Sequence, residues 1–324
     1  MTTGQVGQAG AAPPTSASKG TPRRGRESKD FIGASPVTPY LFLAPYLLLF
    51  FVFVLMPVVY GVWISLHAWD YLLPGKPWVG LQNYADLFTP GTTTSEPFWQ
   101  SMEATGKFTL YSVPLLMVVP LGVALILNQE FRGRTFFRAA YFAPYVLGVG
   151  VIGILWRFLL DPNIGLVNFY LGRLGLPDDI PWTTALPWAW VALVGPTVWW
   201  TLGLNAVIYL AGLQDIPKEL YEAASVDGAN RWQRFMNITI PSLRPVLLFV
   251  LTITILASAN VYGQSYLITQ GAPANDTRSA IMYIAETGLR QFNMGAAAAM
   301  SYVLAFFLIL ISIANFALFR QKEE

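Results

Sequence analysis

Six apolar runs, each about as long as a membrane-spanning helix and almost free of charge, fix what this chain can fold into. From residue 31 to residue 69 there is no Asp, Glu, Lys or Arg. A helix needs about 20 apolar residues to cross the hydrocarbon of a bilayer, so 41–65 spans as an uncleaved first helix. The basic stretch before it could be the start of a signal peptide, but the apolar run is far longer than such a peptide's core. Five further runs qualify, at 108–128, 139–160, 188–210, 246–268 and 297–319. In 139–160 the single charge, Arg157, lies near the end, where a long side chain reaches the interface. Pro45, Pro57, Pro114, Pro120, Pro144 and Pro196 fall inside runs, which membrane helices tolerate as kinks. The expected fold is all-α and polytopic, with six transmembrane helices in a lipid bilayer.

Composition agrees with this. Of the 324 residues 54% are hydrophobic and only 12% charged, against about 25% charged in an ordinary globular domain. A net charge of +2 gives no reason to expect nucleic acid as a partner. The chain has no Cys, so disulfides and thiolate metal sites are excluded, and His67 as sole histidine excludes a His-based metal cluster or catalytic triad. His67, near the end of the first run, reads as an interfacial residue.

Residues 1–30 are rich in Gly, Ala, Pro, Ser and Thr and carry Lys19, Arg23, Arg24, Arg26 and Lys29. They read as a disordered basic tail, leaving 31–324 as the transmembrane domain. Positive residues also set the orientation. With the N-terminus inside, the inner segments hold the tail cations, Arg132, Arg134, Arg138, Lys218, Arg231, Arg234, Arg244, Arg320 and Lys322. Only Lys76, Lys107, Arg157, Arg173, Arg278 and Arg290 remain outside. Both termini are therefore expected in the cytoplasm. The outer loops 71–100 and 161–187 are rich in Trp, Gly and Pro, and Trp69, Trp78, Trp99, Trp182 and Trp188 read as interface anchors.

The polar, helix-forming loop 213–245 interrupts this pattern on the inner side. Pro217 suits the first turn of a helix, Gly228 is placed to close that helix in a left-handed cap, and Asn230 can cap a second helix before Pro241 and Pro245. The spacing predicts a helical hairpin, with Ala224 and Gly228 four residues apart and Trp232 and Phe235 as packing or anchoring aromatics. Periodicity alone leaves two readings open: a connector lying on the membrane surface, or a docking element.

The order Glu222-Ala223-Ala224, Gly228, Ile238, Ile240-Pro241 resembles the EAA motif of the inner-membrane permeases of binding-protein-dependent ABC importers. Asp227, Ala229, Phe235 and Pro245 resemble the carbohydrate branch, to which the maltose permeases belong, and Ile240 stands where Leu is usual. The segments 161–168 (DPNIGLVN) and 267–273 (LITQGAP), and the motif's place between the fourth and fifth runs, are similar to that family too.

That resemblance implies a type I ABC importer permease fold in a prokaryotic inner membrane. It also implies a substrate path through the bundle and a coupling element made of Glu222, Ala223, Ala224, Asp227 and Gly228 that docks on a separate ATPase. The implied partners are a second, related permease, two ATP-binding subunits and an extracytoplasmic sugar-binding protein; a homodimer of permeases is left open. The chain has no G-x-x-x-x-G-K-[ST] phosphate loop. It is therefore expected to be a transport subunit, not an enzyme, with no cofactor of its own, ATP and Mg²⁺ being held by the partner ATPases. Aromatic faces and uncharged hydrogen-bonding groups suit a small carbohydrate, which selects Trp199, Trp200, Asn205, Ser258, Asn260, Tyr262 and Gln264 as path candidates. The resemblance puts Trp199 and 258–264 near the sugar-contacting region of the maltose permeases. Helix–helix hydrogen bonding serves equally for Asn205, Ser258 and Asn260, and packing for Trp200. The competing functional class is a secondary transporter or channel for small polar solutes. It calls for carboxylates or bases at mid-span, which the runs lack.

Overall fold

The computed structural model describes residues 38–320; the basic tail at 1–30 lies outside the described residues. Every regular element described is helical, and β-pairing is confined to two isolated bridges, His67 with Trp78 and Asp70 with Asn293. The chain divides into two units at Met56/Pro57. The first carries the apolar helix Thr38–Phe50 and a π-helical turn, Phe51–Leu55, and its large apolar side chains are exposed. The second carries the hairpin and the cavity described below.

Four helices are long and apolar enough to cross a membrane, namely Pro39–Ser65, Ser95–Leu127, Trp188–Gln214 and Met294–Asn315. Two bent pairs complete six crossings if each pair is one span: Arg134–Val146 with Val149–Leu159, and Arg231–Ser242 with Arg244–Ala259. The 27 residues of Trp188–Gln214 reach about 40 Å, more than the roughly 30 Å of hydrocarbon. The second and fourth spans pack along one another, with Ala124, Ala192 and Ala206 buried. Small residues of this kind let membrane helices approach closely, which matters because lipid gives them no hydrophobic drive to associate.

The third span breaks more sharply than the kink expected from Pro144, and the fifth departs from the single run expected. The 139–160 run is two helices set at 95°. Leu147 and Gly148 are extended, which takes the Leu147 carbonyl out of the helical ladder, a group that lipid could not satisfy. The fourth span repairs this, since Trp200 Nε1 donates to the Leu147 carbonyl at 2.9 Å. It also makes room for the bend. A Cβ on Gly203 would stand 2.5 Å from the Tyr141 carbonyl oxygen and 2.6 Å from Phe142 Cα. The 246–268 run likewise ends as an α-helix at Ala259, and the chain resumes in the π-helical turn Ser265–Thr269.

At one end of the bundle, Leu127, Tyr209, Leu213, Ile216 and Leu243 form a buried cluster on which Tyr221 and Ile238 pack. Beyond the other end of the fourth span, the loop 161–187 is pinned by Asn168. Its amide donates to the Pro162 and Ile180 carbonyls, and its Oδ1 accepts from Trp182 Nε1 at 2.7 Å. His67 is buried, not solvent-facing: its Nδ1 pairs with the Trp63 carbonyl at 2.7 Å and its ring meets Trp63, Trp69 and Trp78.

Candidate functional site: an exposed hairpin and an uncharged cavity

The loop between the fourth and fifth spans folds as a hairpin. Its first helix, Lys218–Val226, follows Pro217 and has Glu219 in its first turn, where a negative charge favours the helix dipole. Gly228 ends it at φ +79°, the left-handed conformation that glycine adopts without strain. The Ala229 N–H then donates to the Ala224 carbonyl at 2.9 Å, and Asp227 N–H to Ala223 at 3.0 Å, the pattern of a glycine-closed helix end. Asn230 and Gln233 cap the second helix reciprocally: each backbone N–H donates to the other's side chain, at 2.8 and 2.9 Å.

Two side-chain bonds brace the two arms, and a third, inside the first helix, fixes Ser225. Tyr221 Oη pairs with Thr239 Oγ1 at 2.9 Å, Arg234 Nη1 donates to Ser225 Oγ at 2.8 Å, and Ser225 Oγ donates to the Tyr221 carbonyl at 2.7 Å. On this frame Glu222, Ala223, Asp227 and Gly228 are exposed and Ala224 is half-buried. Among the described residues no basic side chain lies within ion-pair distance of Glu222. The tip also presents apolar surface, with Val226 89% and Trp232 65% exposed. A rigid, braced elbow carrying an unpaired carboxylate and bare apolar groups is suited to seating in a cleft.

A cavity of about 500 Å³ lies between the third, fourth and fifth spans, with Phe108 and Leu116 of the second span also in its wall, within the usual range for small-molecule sites. It brings together Trp200, Asn205, Ser258, Asn260, Tyr262 and Gln264. Trp199 stands apart, its ring packed edge-on against Trp156 at 5.7 Å and 41% exposed. On the fourth span the lining positions are Thr197, Trp200, Thr201, Leu204 and Asn205, and Trp199, about 100° round the axis from Trp200, falls on the side away from them.

Two of the candidates also tie spans together, and a third bonds its own helix. Asn205 Nδ2 donates to the Leu116 carbonyl at 3.1 Å, Ser112 Oγ donates to Ser258 Oγ at 3.1 Å, and Asn260 Nδ2 donates to the Leu256 carbonyl at 2.7 Å. Each amide keeps its oxygen free for a further donor.

Tyr145, Thr197, Thr201 and Thr254 line the same space and were not singled out from sequence. Thr254 is the most telling. Thr197, Thr201 and Thr252 each donate to the carbonyl four residues earlier, whereas the buried Thr254 hydroxyl has no partner among the described residues. A buried hydroxyl left unpaired costs about 1–3 kcal/mol, so Thr254 is placed to bond a polar molecule in the cavity. Nothing in the sequence marks it, because threonine in an apolar helix ordinarily bonds its own backbone. No Asp, Glu, Lys or Arg contributes to the lining. Aromatic faces with amide and hydroxyl groups can hold a neutral, polyhydroxylated molecule.

Residues 31–321 match the family of binding-protein-dependent transport system inner membrane components. The chain belongs to that family. Among the relatives of this inner membrane component is the arabinooligosaccharides transport system permease of Bacillus subtilis, 33% identical over 90% of this chain and 91% of the relative. Another is the trehalose/maltose transport system permease of Thermococcus litoralis, 33% identical over 86% and 93%. A chain from the crystal structure of a bacterial ABC transporter involved in the import of the polysaccharide alginate superposes with a TM-score of 0.72. Its identity is 23%, and 88% of this chain and 96% of that one are covered; at that identity the likeness concerns the fold. The resemblance drawn from the hairpin motif is thus borne out, and the all-α permease fold with it.

Proposed function

We propose that this permease subunit conducts a small carbohydrate through the cavity between its third, fourth and fifth spans. The observation that carries the reading is the convergence of four aromatic rings and seven uncharged amide and hydroxyl side chains on one space without a charged group. Sugars stack on aromatic faces and donate to amide oxygens, whereas an ion-coupled carrier needs an ionisable group at that depth. The names of the relatives, an arabinooligosaccharide and a trehalose/maltose permease, point the same way.

The power stroke enters through the hairpin. Glu222, Ala223, Ala224, Asp227 and Gly228 form the surface that seats in a separate ATPase subunit, with Glu222 facing a basic group there and the small residues admitting close contact. Closure of two ATPase subunits on ATP and Mg²⁺, held by them and not by this chain, pushes the braced hairpin. Its second helix passes the motion at Leu243 into the fifth span, which carries Thr254 and Ser258 of the cavity wall. A second, related permease completes the pathway, a sugar-loaded extracytoplasmic binding protein delivers cargo to the face opposite the hairpin, and both termini lie in the cytoplasm.

The test is uptake of labelled maltose, trehalose and arabinotriose by proteoliposomes. These contain this chain with its partner permease, ATPase subunits and binding protein. The reading expects ATP-dependent accumulation of at least one of the three, abolished in W200A. If none accumulates while ATP is hydrolysed, carbohydrate is the wrong cargo class.

A further inference from the structure

Tyr262 is the aromatic wall of the cavity at its end away from the hairpin, and it does not stand alone. Its ring lies parallel to that of Tyr266, one helical turn on, with centroids 5.4 Å apart and planes 13° apart. The Arg290 guanidinium holds the hydroxyl end of Tyr266: its carbon lies 5.5 Å from the ring centroid, and Nη2 donates to Tyr266 Oη at 2.8 Å. Arginine thus anchors the outer of two stacked tyrosines, and the inner one borders the cavity.

Arg290 reaches this stack from a different element, the π-helical turn Glu286–Arg290 that precedes the sixth span. That turn is itself anchored. Glu286, one turn earlier, pairs with Arg278 at 3.6 Å, and Arg278 Nε donates to Ser101 Oγ on the second span at 3.3 Å. The segment bearing the two tyrosines packs against the third span, where a Cβ on Gly263 would meet Val149 Cγ2 at 2.5 Å. Ser265 bonds Thr277 and Ser279 at the base of the segment that leads to Arg290, and the guanidinium adds a link at the level of the cavity wall.

We infer that Arg290 is a positioning residue for cargo: by clamping Tyr266 it backs the ring of Tyr262 and makes it a fixed stacking platform for a sugar. This rests on the cavity being the cargo path. A ring already held in its binding rotamer has less freedom to lose when cargo arrives, and the gain from fixing one such side chain is of the order of 1 kcal/mol. The platform also depends on conformation. It is rigid only while the 286–290 turn sits against the 265–269 turn, and rearrangement of either segment loosens the ring and releases the sugar.

The experiment uses the reconstituted complex and the panel sugar that the parent accumulates fastest. It reads sugar molecules moved per ATP hydrolysed, a ratio that loss of folded complex leaves untouched. R290Q, which keeps a polar side chain but removes the cation, lowers the ratio about 5-fold, the equivalent of about 1 kcal/mol. R290K, which retains a cation and a donor, recovers at least half of the parent value. Y266F, which keeps its ring contact with Tyr262 and loses the hydroxyl that Arg290 holds, falls between the parent and R290Q. Y262A removes the platform and falls at least as far as R290Q. If Y262A is impaired while R290Q and Y266F match the parent, the clamp is wrong and the cavity reading stands. If Y262A matches the parent, or no panel sugar is moved, the cavity reading fails and the clamp with it.

Discussion

At the scale of single residues, function is concentrated where local chemistry breaks a habit of the rest of the chain. Thr254 is such a place. Replacing it with valine removes the unpaired hydroxyl and fills the same volume, so the folded complex gains about 1 kcal/mol or is unchanged. Uptake per ATP falls, and T254S restores it. Thermal unfolding in detergent, read beside transport, checks both halves; a stabilised variant with parental uptake would show that the hydroxyl has no role in cargo contact. Gly228 is the second such place. A side chain at its φ of +79° costs about 1–2 kcal/mol, so G228V frays the hairpin and uncouples transport while leaving insertion intact. E222K leaves the backbone alone and tests the docking charge, with the expected outcome that ATPase subunits no longer co-purify. The sequence announced Gly228, because a glycine closing a polar helix has one common use. It could not announce Thr254, whose distinction is a rotamer, nor separate Trp199 from Trp200, whose distinction is a rotation about the helix axis.

At the scale of elements, the six apolar runs were legible because bilayer thickness demands a length that few other structures require. Their interruptions were less so. Pro144 announced a kink in the third span, yet the 95° break needs a tryptophan on another helix to satisfy its carbonyl and a glycine on that helix to admit it. Those are tertiary facts. Gly203 is therefore a packing requirement that looks like an ordinary small residue in sequence. G203L forces the third span away from the fourth and is expected to abolish recovery of folded protein, whereas G195L, whose Cβ meets nothing within 4 Å, is expected to be tolerated. Gel-filtration yield of the two variants in parallel checks this. In the hairpin, the cap at Asn230 was readable, and its partner Gln233 lies at the spacing of a capping box. N230A costs about 1 kcal/mol of local stability, measurable as faster amide exchange across 231–234.

At the scale of the whole molecule, the distribution of positive charge makes a prediction independent of any cavity. The chain contains no cysteine, so single cysteines can be introduced without background. D227C is expected to react in intact cells only with membrane-permeant maleimides, and a cysteine replacing Asp178 in the opposite loop with impermeant ones as well. The reverse pattern would invert the molecule and remove the hairpin from any ATPase in the cytoplasm.

The bend of 67° between Arg231–Ser242 and Arg244–Ala259 gives that topology a mechanical meaning. An elbow fixed at its inner end to a braced arm behaves as a crank. The 16-residue upper arm is about 24 Å long, so a swing of about 10° at Leu243 carries its far tip through about 4 Å. That is close to the thickness of one pyranose ring, enough to open or shut a passage at Ser258 without unwinding a single turn.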